Sequence, residues 1–159
     1  DQARDVGHHE AAMLAHVDST RDYALRVLLY LAHFPDRQVT TSEIGAAYGI
    51  SKNHLVRVVQ TLATAGFVKV TAGRFGGVRL TRTPESIRLG EVVKATEASF
   101  RLVECHDLAN NTCPIVPVCG LKTMLDGALA AFLLELEQHT LADLVKPKSR
   151  SKFVRLVSG

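Results

Sequence analysis

The sequence predicts a mainly α-helical protein, with a winged helix-turn-helix head, a two-stranded wing and a long C-terminal dimerisation helix. Two amphipathic segments joined at Gly49 indicate the helix-turn-helix. A glycine-rich stretch with one arginine, residues 72–77, separates two short apolar segments and is typical of a flexible basic hairpin. An apolar stretch with helical periodicity, residues 120–139, supplies the long helix.

The composition limits the class of protein. The chain has 159 residues, of which 47% are hydrophobic and 22% charged, as in a folded domain and unlike a disordered chain. No uninterrupted apolar run is long enough for a membrane span, and no signal-peptide pattern opens the chain. Three cysteines are too few for a disulfide-stapled secreted fold, so we expect a cytoplasmic protein.

Charge divides the chain into four segments. Residues 18–83, the predicted winged helix-turn-helix domain, carry nine Lys/Arg and four Asp/Glu, a net charge of +5. Residues 84–145, the predicted cysteine loop and dimerisation helix, carry −5, and the basic tail 146–159 carries +5. Residues 1–17 are expected to be a disordered or artificially added extension. A basic unit beside an acidic one favours binding of a polyanion to the basic unit. The tail is either a solvated end or an additional phosphate contact.

The first helix is expected to begin at Asp18 or Ser19 and to end before Pro35. Ser19 and Asp22 resemble a capping box, and proline disfavours helix at the residue before it. Apolar residues cover most of the circumference, so we expect burial on most sides. They are Ala24, Leu25, Val27, Leu28, Leu29, Leu31 and Ala32.

The two helices of the helix-turn-helix follow. Thr40 and Glu43 form a second capping-box pattern, and Gly49 suits the left-handed residue after a short helix. Ser51 is the expected N-cap of the next helix, and Gly66 its end. Apolar positions at i, i+3, i+4 and i+7 of that helix predict one face in the core. They are Leu55, Val58, Val59 and Leu62.

Two short strands are predicted on either side of the glycine-rich hairpin. The first contains Phe67, Val68 and Val70, and the second contains Val78 and Leu80.

The expected DNA contacts come from the second helix of the helix-turn-helix and from the wing. Polar side chains at the start of that helix can meet bases and phosphates in the major groove. They are Ser51, Lys52, Asn53, His54 and Arg57. Arg74 at the wing tip can reach the minor groove, because a narrow A·T-rich groove attracts arginine. Lys52 and Arg57 could instead meet only phosphate, and His54 could simply pack.

The second half of the chain is expected to be helical on both sides of one loop. A short helix spans Leu89 to Glu97, and Thr140 caps a last turn through Leu144. The long helix carries an apolar stripe that few other elements can cover, so we favour helix-to-helix dimerisation over a place in the monomer core. The stripe is Leu121, Leu125, Ala128, Phe132 and Leu136.

The three cysteines lie in or directly after the loop 104–118, with the spacing C-x7-C-x5-C. They are Cys105, Cys113 and Cys119. A tetrahedral zinc site usually has two ligands two to four residues apart, and that pair is absent. The wider spacing suits the separated irons of an iron–sulphur cluster. Zinc, redox-active thiols and inert cysteines stay open as alternatives, and Glu104, His106 or Asp107 could add a ligand.

No catalytic motif is present, so the chain is not predicted to be an enzyme. It has no nucleophile elbow, phosphate loop, HExxH or paired acid–base pattern. The glycine-rich hairpin lies between strands and not at a helix N-terminus, which disfavours a phosphate cradle.

Four segments carry a resemblance when they occur together: DYALRVLLYLA at 22–32, the helix-turn-helix through Gly66, GRFGG at 73–77 and CPIVPVC at 113–119. In this combination the chain resembles the IscR-like family of iron–sulphur winged-helix regulators over residues 17–145, and within it the nitric-oxide-sensing repressors. The resemblance implies a homodimer that represses transcription from a pseudopalindromic operator, with nitric oxide as effector.

The resemblance also implies a cofactor. It makes Cys105, Cys113 and Cys119 the ligands of an iron–sulphur cluster, and Asp22 of the partner subunit a fourth ligand; the other role of Asp22 is helix capping. A related branch has a histidine three residues after its third cysteine, where this chain has Lys122. We therefore expect a 4Fe-4S rather than a 2Fe-2S cluster. The alternative function is an IscR-like regulator of iron–sulphur or cysteine metabolism that responds to cluster status or thiol redox state.

Overall fold

A computed structural model describes residues 19–97, 99–107 and 109–157, except for the side chains of Ser19 and of residues 147–149. The N-terminal extension predicted for residues 1–17 lies outside the described residues. Within them the helices are α1 (Ser19–His33), α2 (Thr41–Tyr48), α3 (Lys52–Thr64), α4 (Leu89–Thr96), α5 (Leu121–Glu137), α6 (Leu141–Leu144) and α7 (Pro147–Val157). The strands are β1 (Val68–Thr71) and β2 (Gly77–Leu80), paired antiparallel. The predicted fold class, mainly helical with a two-stranded wing, is confirmed.

Helix α1 forms the centre of the head. Its apolar circumference is buried on several sides, and Ala24, Val27 and Leu28 are fully buried. The helix packs against α3, α4, α6 and β2. His33 in its last turn is also buried, and this burial lowers the pKa of the imidazole, so the ring is neutral at physiological pH.

The helix-turn-helix forms at the residues that the capping patterns indicate. Thr40 Oγ1 accepts a hydrogen bond from Glu43 N at 3.1 Å, and Gly49 takes the left-handed conformation with φ of 66°. Ser51 Oγ accepts from His54 N at 3.4 Å at the start of α3. The four predicted core residues of α3, Leu55, Val58, Val59 and Leu62, are all buried.

The carboxylate of Glu43 has partners that the capping-box pattern does not predict. It accepts hydrogen bonds from the Arg37 guanidinium, one of them at 3.0 Å, and from Tyr30 Oη at 3.0 Å. The bond from Arg37 is the main reason that the pKa of Glu43 lies below its ordinary value. This network fixes α2 to the last turns of α1.

The wing is attached to the head through a short backbone ladder. In the β1–β2 pair, Val68 lies opposite Leu80 and Val70 opposite Val78. Val39 and Val78 exchange backbone hydrogen bonds at 3.0 and 2.8 Å, which continues the sheet onto the segment before α2. A Cβ on Gly77 would lie 2.9 Å from Val39 O, so this close approach requires glycine.

The C-terminal half returns to the head after α5. Leu89 N donates to His139 O at 3.0 Å, and Leu141 N donates to Ile87 O at 2.9 Å. Leu141 is fully buried against the head core. In contrast, no residue of α5 is buried within this chain. Despite its apolar residues, neither α5 nor any other described helix has the length and hydropathy of a membrane span.

The tail predicted to be basic contains a helix that docks on the head. The Phe153 ring of α7 stacks on His33, with ring centroids 3.8 Å apart and planes 9° apart, and lies 5.9 Å from the Tyr30 ring. Arg150 and Lys152 stay exposed. One aromatic anchor thus holds a strongly cationic helix against α1, an arrangement that the charge pattern of the tail alone does not predict.

Leu141 should be the residue that holds the C-terminal segment to the head. Leu141→Ala removes a fully buried side chain, and a loss of about 2–5 kcal/mol in the free energy of unfolding is expected. The matched control is Leu144→Ala in the same helix, where the side chain is 45% exposed and the change should stay within about 0.5 kcal/mol. Equal effects in urea denaturation would contradict this assignment.

Candidate nucleic-acid interface and cysteine loop

The start of α3 presents a polar surface to solvent. All five contact residues predicted here are exposed: Ser51, Lys52, Asn53, His54 and Arg57. The buried face of α3 holds the helix in the head, so these side chains project from a rigid support. An exposed helix with cationic and amide side chains at its N-terminal end fits the major groove of DNA.

One of these residues also contacts α1. The His54 ring lies 6.1 Å from the Tyr23 ring, measured between centroids. Tyr23 follows Asp22 in the first turn of α1, so the predicted fourth ligand lies one residue from the aromatic contact to α3, the predicted recognition helix. Both interpretations of His54, packing and DNA contact, are compatible with this geometry.

The wing carries more positive charge than the sequence analysis assigned to it. Lys69 and Arg79 lie directly opposite each other in the ladder, and both are exposed. Like charges in a cross-strand pair repel, and a bound polyanion relieves this repulsion. Arg74 at the tip is exposed as predicted. The alternation of side chains along the two strands could have predicted this pair from the sequence, because it places Lys69 and Arg79 on the same face of the wing.

The tip also carries an aromatic ring that the sequence analysis did not assign to the site. Phe75 is 89% exposed, and Arg74 Cζ lies 5.8 Å from its ring centroid.

The three cysteines are unbridged and half-buried. Single 3-10 turns hold two of them: Glu104–His106 contains Cys105, and Val116–Val118 precedes Cys119. Across the described segments, no three His, Cys, Asp or Glu side chains converge tightly enough to hold one metal ion. The ligands of a cluster bind separated irons and do not have to meet at one point.

The three alternative ligands beside Cys105 are occupied in other roles. Glu104 accepts hydrogen bonds from Thr112 N at 2.6 Å and Thr112 Oγ1 at 2.7 Å, which lower its pKa. Asp107 accepts from Asn110 Nδ2 at 2.8 Å and Arg101 at 2.6 Å. These bonds brace the loop and hold each carboxylate through one oxygen, Oε1 of Glu104 and Oδ2 of Asp107.

His106 is held from both sides of its ring. Its Nδ1 accepts a hydrogen bond from Leu102 N at 3.2 Å, so Nε2 carries the proton in the neutral ring. Nε2 is buried and lies 3.2 Å from Asp126 Oδ1, but without the alignment of a hydrogen bond. Iron binding at Nε2 would require that proton to leave.

Lys122 forms an ion pair with Asp126 beside the cysteine loop. The Nζ–Oδ2 distance is 2.6 Å. The pKa of Lys122 is raised, mainly by this hydrogen bond and also by the nearby Cys105 thiol. Lys122 therefore places a positive charge near Cys105.

Asp22 is accessible and weakly held. Its carboxylate pairs with Arg26 at 2.9 Å, and both side chains are more than 40% exposed, at 44% and 43%. Exposed pairs of this kind contribute about 0–1 kcal/mol, so the carboxylate can be withdrawn from Arg26 at little cost. Three unbridged thiols and a displaceable carboxylate are donors that fit an iron–sulphur cluster in their chemistry.

Helix α5 exposes a long apolar surface. Leu121 is 53% exposed, Met124 73% and Phe132 47%. Exposed apolar surface of this extent along one helix is typical of an interface with another protein chain.

Comparison with known proteins matches this chain to transcriptional regulators. Residues 17–147 match the Rrf2 family, described as iron-dependent transcriptional regulator. The HTH-type transcriptional regulator NsrR of Bacillus subtilis is 49% identical over 128 residues, which cover 80% of this chain and 88% of that protein. NsrR of Halalkalibacterium halodurans is 47% identical over 128 residues, with the same coverage of 80% and 88%.

Solved structures agree with these relatives. The structure titled T. potens IscR has a TM-score of 0.67 at 25% identity and covers 89% of this chain and 93% of its own. CymR, titled the global cysteine regulator of B. subtilis, has a TM-score of 0.59 at 22% identity, over 80% and 94%, and shows the fold alone. The homologues are named transcriptional regulators, in agreement with the prediction that the chain is not an enzyme.

Proposed function

The chain belongs to the Rrf2 family of transcriptional regulators, and on this premise we propose that it is a cytoplasmic, homodimeric repressor that senses nitric oxide through an iron–sulphur cluster. The observation that carries the proposal is a winged head and a loop with three unbridged cysteines in one chain similar to NsrR. The head binds operator DNA, and the loop holds the cluster.

DNA docking places α3 in the major groove and the wing at the adjacent minor groove. Ser51, Lys52, Asn53, His54 and Arg57 form the first contact set, and Arg74 forms the second. Their exposure and the net charge of +5 over residues 18–83 support this docking. Two heads in a dimer match a pseudopalindromic operator with half-sites about 34–36 Å apart, one helical turn.

Cys105, Cys113 and Cys119 are the proposed cluster ligands, with Asp22 of the partner subunit as the fourth. The bonds that occupy Glu104 and Asp107 support a fourth ligand from outside the loop. Lys122, paired with Asp126, supports a 4Fe-4S cluster over one with a histidine at that position. The cluster supplies the reaction with nitric oxide, and an oxygen ligand binds iron less firmly than a thiolate does, which leaves that position open to a small molecule.

A short path of contacts connects the end of α4 with the recognition helix. Arg21 pairs with Glu97 at 2.7 Å, and Glu97, at the end of α4, is mostly buried. This pair joins the segment before the cysteine loop to the first turn of α1. Asp22 and Tyr23 follow in that turn, and Tyr23 contacts His54. A change in the position of Asp22 would thus be passed on to α3 through Tyr23 and His54. An effector can change DNA binding only if the two cluster states differ in such contacts with the head.

Homodimerisation through α5 completes the proposal. The helix is connected to the head by backbone hydrogen bonds at its C-terminal end but has no buried residue along its length. A second copy of α5 is the simplest cover for this face, because a self-complementary apolar helix forms a two-fold interface.

Iron analysis of anaerobically purified protein tests the cluster. Replacement of Cys105, Cys113 or Cys119 by Ala is expected to abolish iron and sulphide binding, because each thiolate is a strong ligand. Asp22→Ala is the matched comparison: it should retain iron through the three thiolates, but its visible absorption and its rate of reaction with nitric oxide should change. Full iron content in all three cysteine variants would refute the cluster, and wild-type protein without iron that responds to oxidants would favour a thiol sensor.

The DNA docking is tested with a duplex that the holoprotein selects from a random-sequence library. Arg57→Ala and Arg74→Ala should each weaken binding by about 1–3 kcal/mol where a base contact is lost. Lys94→Ala removes one positive charge from α4, outside the predicted DNA-binding domain of residues 18–83, and should leave affinity unchanged. Wild-type affinity in the Arg57/Arg74 double variant, measured by fluorescence anisotropy across several salt concentrations, would show that the docking is wrong.

The dimer is tested by charging the apolar stripe. Phe132→Glu should give a monomer in analytical ultracentrifugation at micromolar concentration, because the interface would have to bury an unpaired carboxylate. Leu134 is 64% exposed but lies about 200° around the helix from Phe132, so Leu134→Glu should remain dimeric. A monomeric wild-type protein would exclude this interface altogether.

A further inference from the structure

The tip of the wing carries a large apolar side chain in an unusual position. Phe75 is 89% exposed, the highest value among the large hydrophobic residues that the structure describes as exposed. A phenylalanine ring in water gains from burial more than almost any other side chain does. Within the described chain its ring partner is the Arg74 guanidinium, which leaves most of the ring in solvent.

The backbone around Phe75 is narrow and shaped by glycine. Gly76 N donates to Gly73 O at 2.9 Å, so Arg74 and Phe75 are the two central residues of a tight turn. Gly73 has φ of 101°, and a Cβ on Gly76 would collide with Thr71 O. The side chains of Arg74 and Phe75 are therefore the only ones between Gly73 and Gly77, on a turn thin enough to enter a groove.

The positive charges on the stem of the wing determine which kind of partner the Phe75 ring can contact. Lys69 and Arg79 form an exposed cross-strand pair on the stem of the wing, and Arg74 stands beside the ring. No acidic residue occurs between Glu43 and Glu85, so the whole wing is cationic. A polyanion is drawn to this stem, and an apolar partner without negative charge is not.

We propose that Phe75 enters the minor groove of the operator beside Arg74 and wedges into a base step, which it partly unstacks and bends. This rests on the proposed DNA-binding function and adds a specificity residue to it. Apolar side chains, phenylalanine among them, kink DNA in this way from the minor groove. Pyrimidine–purine steps such as TA and CA/TG unstack most easily, so the wing selects such a step without a base-specific hydrogen bond.

The experiment uses the holoprotein and the duplex that it selects from a random library, with 2-aminopurine placed in turn at each step under the wing. Unstacking raises the fluorescence of this base. Wild-type protein is expected to raise it at one step. Phe75→Ala should abolish the rise and weaken binding roughly tenfold, in the range of lost stacking contacts. Phe75→Leu, which keeps an apolar wedge, should retain most of both effects.

Two controls distinguish the effect of losing the Phe75 ring from a loss of charge contacts and from a loss of stability. Val70→Ala changes another exposed wing residue, 52% exposed and away from the tip, and should bind and unstack as wild type does. Phe75→Ala should keep the wild-type melting temperature, because its ring supports nothing in the head, and should keep the salt dependence of binding, because no phosphate contact is lost.

The possible outcomes are distinct. A wild-type complex without a fluorescence rise at any step, or a Phe75→Ala variant with unchanged affinity and fluorescence, would overturn the wedge while leaving the DNA-binding function intact. A holoprotein that selects no duplex from the library would overturn the proposed function itself. Loss of the signal in Phe75→Ala with retention in Phe75→Leu supports the wedge.

Discussion

Helix α1 is apolar around most of its circumference, and the need to bury it organises the rest of the head. Ala24, Val27 and Leu28 have no exposed surface, and α3, α4, α6 and β2 all pack on this one helix. Because α1 is enclosed, its polar residues are confined to its first turn and to the Tyr30 side. The first turn carries Asp22 and the contact to His54, and Tyr30 carries the bond to Glu43 that positions α2.

The elements set by local patterns were predictable from the sequence. The apolar spacing i, i+3, i+4 and i+7 predicts the core face of α3, and Gly49 predicts the turn before it. Both predictions depend only on residues close together in the chain. Contacts between distant residues were not predictable in this way. The stacking of Phe153 on His33 joins positions 120 residues apart, and five cations around it made the tail look solvated. The hydrogen bonds from Thr112 to Glu104 arise in an irregular loop that no periodic pattern describes. In the candidate site, the exposed residues of α3 were predictable from the sequence. The exposure of Phe75 was not, because no periodic pattern covers the glycine-rich turn that carries it.

The acidic half of the chain is braced differently from the basic half. In the head, buried aliphatic side chains hold the helices. Around the cysteines, carboxylates hold the backbone: Glu104 binds Thr112, and Asp107 binds Arg101 and Asn110. Charge-assisted hydrogen bonds of this kind keep a loop in shape without a core. Two of the carboxylates in this acidic segment thus have a structural role inside the chain.

The backbone ladder between residues 87–89 and 139–141 limits how the length of α5 can change. It holds the C-terminal end of α5 on the head and so defines the direction in which the helix leaves the head. Each residue inserted into α5 would rotate everything beyond it by about 100° and advance it by about 1.5 Å. In the proposed homodimer both chains would carry the insertion, so both heads would rotate and their relative orientation on the double helix would change. The length of α5 therefore sets the relative rotation of the two heads in the proposed dimer.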